Sequence, residues 1–266
     1  MALPIHRTGL NKVMGQKSKD VVTTNLIGDF NSKFGVNSTY WQNQITSPAT
    51  SAIRRFNGIT HSSTSHPYYY QFDGTNDYLG EASSSYGGNA FYVVFQNAYT
   101  ISQWVHLPST WTTGNKHVMI QLFNTDANQL YVYIDGATMK GRSFTSDGNQ
   151  GPFSIGSVVN LINNRDKWLY HTISHDGSGL YKYYINGTFI DSTDANYAPT
   201  AENTNTPLTV GFSPGGGDGA FFTSANVRIG HMHVHSSELG SSQIRQNYLA
   251  SQDVNNTRYF GDTSFP

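Results

Sequence analysis

Cysteine is absent from this chain, which excludes disulfide staples and thiol catalysis and leaves the redox compartment open. Glutamate is nearly absent too, with only Glu81, Glu202 and Glu238 in 266 residues. Cleavage of a glycosidic bond needs two carboxylates facing it, and here the three glutamates are far apart while the pair Asp73 and Asp77 sits at a turn. Charged residues make up 12% and the net charge is −1, so whole-chain electrostatics give no reason to expect a nucleic-acid partner. No apolar run approaches the length of a membrane span. The first residues, Met1 to Leu10, lack the apolar stretch of a secretory leader, so synthesis and folding in the cytoplasm are expected.

Aromatic residues and turn formers are plentiful: 17 Tyr, 15 Phe and 26 Gly. With abundant Ser, Thr and Asn they suit pleated strands joined by tight turns, and good helix formers are scarce. Strand-like segments recur over 68–72, 90–95, 100–107, 118–123, 130–134, 168–174, 180–185, 189–191, 208–210 and 227–235. Asp135-Gly136 and Asn186-Gly187 are dipeptides that accept positive φ and so favour two-residue hairpin turns. In the last strand Val227, Ile229, Met232 and Val234 cannot share one face without a break, and Gly230 marks where a bulge belongs. The stretch 39–57 reads as polar and turn-like around a buried Trp41. One short C-terminal helix is expected, capped by Ser241 or Ser242, with Ile244, Tyr248 and Leu249 as its buried stripe. Trp104 and Trp168 lie among apolar strand neighbours and read as core. The division is an N-terminal arm over 1–24, one all-β, antiparallel two-sheet domain over 25–250, and a tail over 251–266.

Five segments in order carry a resemblance. They are Phe72-Asp73-Gly74-Thr75-Asn76-Asp77-Tyr78, Tyr99-Thr100-Ile101-Ser102-Gln103-Trp104-Val105, and Trp168 through Gly177. Tyr184-Ile185-Asn186-Gly187 and the closing run from Ile229 to Ile244 complete the set. Together they resemble the laminin-G-like or concanavalin A-like jelly-roll superfamily, over roughly residues 25 to 250. The second signature departs from the family pattern: His171 comes one position late and His175 stands where a Tyr is usual. The fold implied is a jelly-roll β-sandwich. Function is less constrained, because this superfold carries lectins, glycosidases, adhesion modules and virion proteins. The polar, cysteine-free composition and the short arm resemble bacteriophage members. They imply a non-enzymatic virion structural protein (capsid decoration, head fibre or tail accessory) held to other virion proteins through the arm as a multi-copy assembly. The alternatives are a carbohydrate-binding adhesin for host glycans and, with its carboxylate pair missing, a glycan hydrolase.

Candidate sites follow from residue chemistry. Sugar binding needs aromatic faces on a rigid surface, and Trp111, Tyr131, Tyr133 and Tyr69 are the candidates, with Trp111 foremost because its Ser-Thr-Trp-Thr-Thr-Gly surroundings look hard to bury. Asp73, Asn76 and Asp77 are hard oxygen donors that would suit calcium, as in some relatives, or else Asx-turn hydrogen bonds. His231, His233 and His235 alternate along one strand and would either present imidazoles to a transition metal or form an exposed polar stripe. Gly211-Phe212-Ser213-Pro214-Gly215 matches a nucleophile-elbow pattern, but Pro214 has no backbone N–H for an oxyanion, so it reads as a turn.

Overall fold

β-branched and aromatic residues at alternating positions place one side of each strand in a common core, and a computed structural model assembles them into two face-to-face antiparallel sheets. The structure describes residues 20–32, 36–45, 53–62, 68–80, 97–122, 130–144, 150–155, 161–195, 208–211, 225–254 and 257–258. The strands are β1 (Leu26–Phe30), β2 (Tyr40–Trp41), β3 (Ile53–Phe56), β4 (Thr60–Ser62), β5 (Tyr69–Gln71) and β6 (Tyr78–Gly80). Next come β7 (Tyr99–His106), β8 (Lys116–Leu122), β9 (Leu130–Asp135), β10 (Thr138–Phe144) and β11 (Gln150–Ile155). β12 (Trp168–His175), β13 (Leu180–Ile185), β14 (Thr188–Asp194), β15 (Leu208–Val210) and β16 (Arg228–His235) precede helix α1 (Ser241–Gln252). Two short strands, β17 (Asp253–Val254) and β18 (Thr257–Arg258), pair with each other after it.

The first sheet runs β14-β13-β12-β7-β16-β5-β4, with β1 also paired to β16. The second runs β11-β10-β9-β8-β15-β6-β3-β2. The β16 edge opposite β7 is shared end to end: β5 pairs with Arg228 and Ile229, and β1 with Met232 to His235. The change of partner falls at the register shift between Ile229 and Met232, where the sequence places a bulge. That shift lets Ile229, Met232 and Val234 all reach the core, while His231, His233 and His235 take the outer face.

The central strands of the first sheet, β7, β12 and β16, are buried on both sides over most of their length. Tyr99, Ile101 and Val105 of β7 enter the inter-sheet core, while Trp104 packs outward with Tyr170 and Tyr248. Helix α1 and residues 20–25 cover that outer face. Val22 N–H donates to Asn247 Oδ1 at 2.7 Å, Gln246 Nε2 donates to the Asp20 carbonyl, and Val22 packs with Tyr184, Leu239 and Ile244. Residues 20–24, assigned to the arm from sequence, therefore belong to the folded unit. The Asn186-Gly187 turn forms as expected, with both residues at positive φ, and the Asn186 carbonyl accepts from Arg245 of the helix at 2.9 Å.

Two local expectations are corrected. The helix is capped by Gly240 and not by a serine: the Gly240 carbonyl accepts from Gln243 and Ile244, and Gln243 Oε1 accepts the Gly240 N–H at 3.0 Å. The 39–57 stretch contains β2 and β3 around a fully buried Trp41, and β1, β4, β10 and β11 had no sequence forecast. The strand expected over 90–95 lies outside the described residues.

Candidate functional site

Phe72 to Tyr78 builds a turn whose acids hold its own backbone. Asp73 Oδ1 accepts from Thr75 N–H at 2.7 Å and Asn76 N–H at 3.4 Å, and Asp77 Oδ2 accepts from Asp73 N–H at 2.9 Å. This is the Asx-turn arrangement. Asp77 is buried, and burial raises its carboxyl above the usual range, the Asp73 N–H opposing that rise. Gly211, the first residue of the nucleophile-like pattern, lies against the ring of Phe72 at φ +91, where a Cβ would come within 2.2 Å of Cε1. That glycine is there for packing.

The sugar-platform candidates separate. Trp111 is a correction: it is fully buried and its indole N–H donates to the Gly136 carbonyl at 2.7 Å, so it offers no open face. Its polar neighbours in sequence stay exposed while the ring itself turns into the core, beneath the β9–β10 turn. Tyr133 is also buried, 7% exposed, with the Lys116 ammonium 5.9 Å from its ring centre. Tyr131 lies in β9, its side chain outside the described residues.

Tyr69 is the candidate that reaches a partly open surface, and it has company that sequence reasoning missed. Register places Trp168, His106, Arg228, Gln71 and Thr60 side by side across β12, β7, β16, β5 and β4. Cross-strand partners share a face, so all five project outward together. Trp168, read as core, is partly exposed: it shares the outward face with Tyr170 and closes the end of the row. Tyr69 leans over this row. Its ring centre is 6.0 Å from that of Trp168, and the Arg228 guanidinium carbon sits 4.9 Å from the Tyr69 ring centre. Arg228 Nε donates to Gln71 Oε1 at 2.9 Å, and Gln71 Nε2 to Asn226 Oδ1 at 3.1 Å. His106 packs on Trp168 at 5.4 Å. Burial first, then the neighbouring Arg228 charge, lowers its pKa and keeps its imidazole neutral. The result is two aromatic faces flanking a row of planar hydrogen-bonding groups. The clue available in sequence was parity, since Trp168 and Tyr170 must share a face; the lateral register was not readable.

Further along the same outer face, the three histidines of β16 are buried, and not an exposed stripe. They also do not converge as a triad. His235 Nε2 turns to the Val22 carbonyl at 3.0 Å, and Asp29 of β1 comes in instead. Asp29 Oδ1 is 2.5 Å from His231 Nε2 and 3.8 Å from His233 Nε2. His233 Nδ1 lies 2.8 Å from the Tyr170 hydroxyl. Burial pushes the Asp29 carboxyl up, but the histidines beside it, His231 above all, outweigh that and bring it to about 2. Burial, then the nearby His231, drives His233 well below the usual histidine range.

A family model described as the concanavalin A-like lectin/glucanases superfamily matches residues 73–245. No curated protein matches the chain. Among solved structures, the receptor binding domain of botulinum neurotoxin C/D mosaic serotype is 14% identical, with a TM-score of 0.65 over 86% of this chain. The binding domain of botulinum neurotoxin DC in complex with rat synaptotagmin II is 15% identical at TM-score 0.64 over 85% of this chain, and the same domain in complex with SialylT is 15% identical at 0.63 over 86%. The chain spans about half of each of these structures: 52%, 52% and 53% of their lengths. At such identities the likeness is one of fold: an antiparallel jelly-roll sandwich of lectin-like type.

Proposed function

The chain belongs to the concanavalin A-like lectin/glucanases superfamily, and from that membership we propose a non-enzymatic, lectin-like virion protein that binds host-surface glycans through Tyr69, Trp168, Arg228, His106 and Gln71. The observation that carries the reading is the lateral row ending in Trp168 with Tyr69 leaning over it. Sugar rings present C–H faces that stack on aromatic side chains, and paired hydroxyls that match the planar amide and guanidinium groups of Gln71 and Arg228. Hydrolysis is disfavoured by what three of the described carboxylates already do. Glu238 is engaged by Lys182 at 2.6 Å, and Asp73 and Asp77 hold their own turn.

The test is a glycan array followed by titration of the best ligand. Arg228→Gln and Tyr69→Ala should each weaken binding by roughly ten- to a hundredfold, the range of central contact residues, with the melting temperature of Arg228→Gln nearly unchanged. Wild-type protein that retains no glycan, or variants that bind as well as wild type, would refute the reading.

Attachment to other virion proteins is assigned to residues 1–19, because the residues that follow them, Asp20 to Asn25, are already engaged by α1 and β16 of their own chain. Deleting residues 1–19 should abolish incorporation into particles while leaving glycan binding intact. Equal incorporation of the deletion, or absence of the polypeptide from purified particles, would rule this out.

A further inference from the structure

On the outer face of the first sheet, away from the aromatic row, we infer that Asp29, His231 and His233 form a transition-metal site of zinc type. Asp29 Oδ1, His231 Nε2 and His233 Nε2 lie within 4.8 Å of one another, and they come from two strands paired in fixed register, Asp29 directly opposite His233. The ring centres of the two histidines are 4.3 Å apart, much closer than the roughly 7 Å between alternate strand positions, so the imidazoles lean toward a common point.

Hydrogen bonding leaves this cluster incomplete. His233 is fully buried, and its Nε2 has no hydrogen-bond partner: Asp29 Oδ1, at 3.8 Å, is beyond reach in either tautomer. Its other nitrogen is committed to the Tyr170 hydroxyl. A ring with Nδ1 donating to an oxygen and Nε2 presented as a lone pair is the arrangement metal-bound histidines adopt. In the tautomer with the proton on Nδ1, the Nε2 lone pair and the Asp29 carboxylate oxygen face each other and repel unless a cation lies between them. A divalent ion would replace the proton shared by His231 and Asp29. Bonds of about 2.0–2.1 Å around a tetrahedral ion require donors about 3.3 Å apart. The two Asp29 separations, 2.5 and 3.8 Å, reach that spacing by sub-ångström movements of the Asp29 side chain, 23% exposed, and the two nitrogens, within 4.8 Å of each other, by a tilt of the imidazoles. Two nitrogens and one carboxylate suit zinc, cobalt or nickel better than calcium, and a fourth position remains on the Asp29 side for water.

Untagged full-length protein, stripped with a chelator, should take up one equivalent of Co²⁺ at pH 7.5. Visible bands of a four- or five-coordinate ion should appear and be displaced by Zn²⁺, and the melting temperature should rise with free Zn²⁺ as mass action requires. Asp29→Asn should weaken uptake about a hundredfold, whereas His235→Gln, whose ring faces the Val22 carbonyl, should retain it. Folded wild-type protein with no saturable Co²⁺ or Zn²⁺ binding overturns the site whether or not the variants fold. Equal loss in His235→Gln and Asp29→Asn, or unaltered binding in Asp29→Asn, overturns the assignment of ligands.

Discussion

Acidification from pH 7.5 to 5 will strip this protein of much of its stability, well before its carboxylates titrate. His117 and His171 are fully buried, and burial lowers both to about 3, the neighbouring His171 adding to the effect on His117. An unfolded chain protonates them near 6.5, so between pH 6.5 and 3 it takes up protons that the native state refuses. Stability is therefore full above about pH 6.5 and falls with pH by about 1.4 kcal/mol per unit for each histidine, or about 2.7 kcal/mol for both. The 1.5 units from pH 6.5 to 5 then cost about 4 kcal/mol, a large part of the net stability of a typical domain. His61, His106, His175 and His235 are also lowered, burial being the main cause, and act with the same sign. Asp29 enters later, since its contribution is lost only as pH falls from 3.8 toward 2. Denaturant midpoints measured from pH 7.5 to 5 give the slope. His171→Phe, which keeps a ring beside Tyr183, should lower that slope by about one proton whatever it does to stability at neutral pH. A flat profile in wild type would contradict the assignment of these imidazoles as neutral and buried.

Replacing Gly74 by alanine should be among the most damaging single changes available. Gly74 sits at φ +80, and a Cβ there would lie 2.3 Å from the Ala225 backbone nitrogen and 2.7 Å from its Cα. The contact is with main chain that is itself tied down, because Asn226 N–H donates to the Phe72 carbonyl and Phe72 N–H to the Val227 carbonyl. Strain and clash together should cost about 3–5 kcal/mol. Gly58 separates the two causes: its φ is +96 but nothing lies within 4 Å of an added Cβ, so Gly58→Ala should lose only about 1 kcal/mol. Equal melting temperatures for the two variants would show that the close approach at Ala225 does not matter.

That glycine also illustrates what a sequence can tell. Phe-Asp-Gly-x-x-Asp-Tyr was readable as a turn because Gly and Asx residues act locally, and the Asn186-Gly187 hairpin and the Gly230 phase shift were readable for the same reason. Long strands with many apolar positions were also visible. Short strands such as β2 and β4 were not, since two or three residues carry no period. The polar strands β10 and β11 escaped because their partners, and not their composition, make them strands. Site residues were harder. Trp111 looked exposed because its sequence neighbours are polar, yet its indole turns into the core and is bonded to Gly136. Trp168 looked buried because its neighbours are apolar, yet it lies at a strand end on the outer face. The histidines of β16 were noticed, but Asp29 was not, because its approach depends on a pairing between opposite ends of the chain.

That pairing has a consequence for how the protein is made. β1 leaves the ribosome about 200 residues before β16, against which Leu26 to Phe30 must lie. At 5–20 residues per second the interval is roughly 10–40 s. Through it β1 is a short strand bearing Leu26, Ile27 and Phe30, with an unsatisfied edge open to wrong partners. A carboxylate in the middle of such a segment is the usual deterrent to that kind of misassociation. Asp29 thus guards the nascent strand in the open, and is enclosed beside His231 once β16 has emerged.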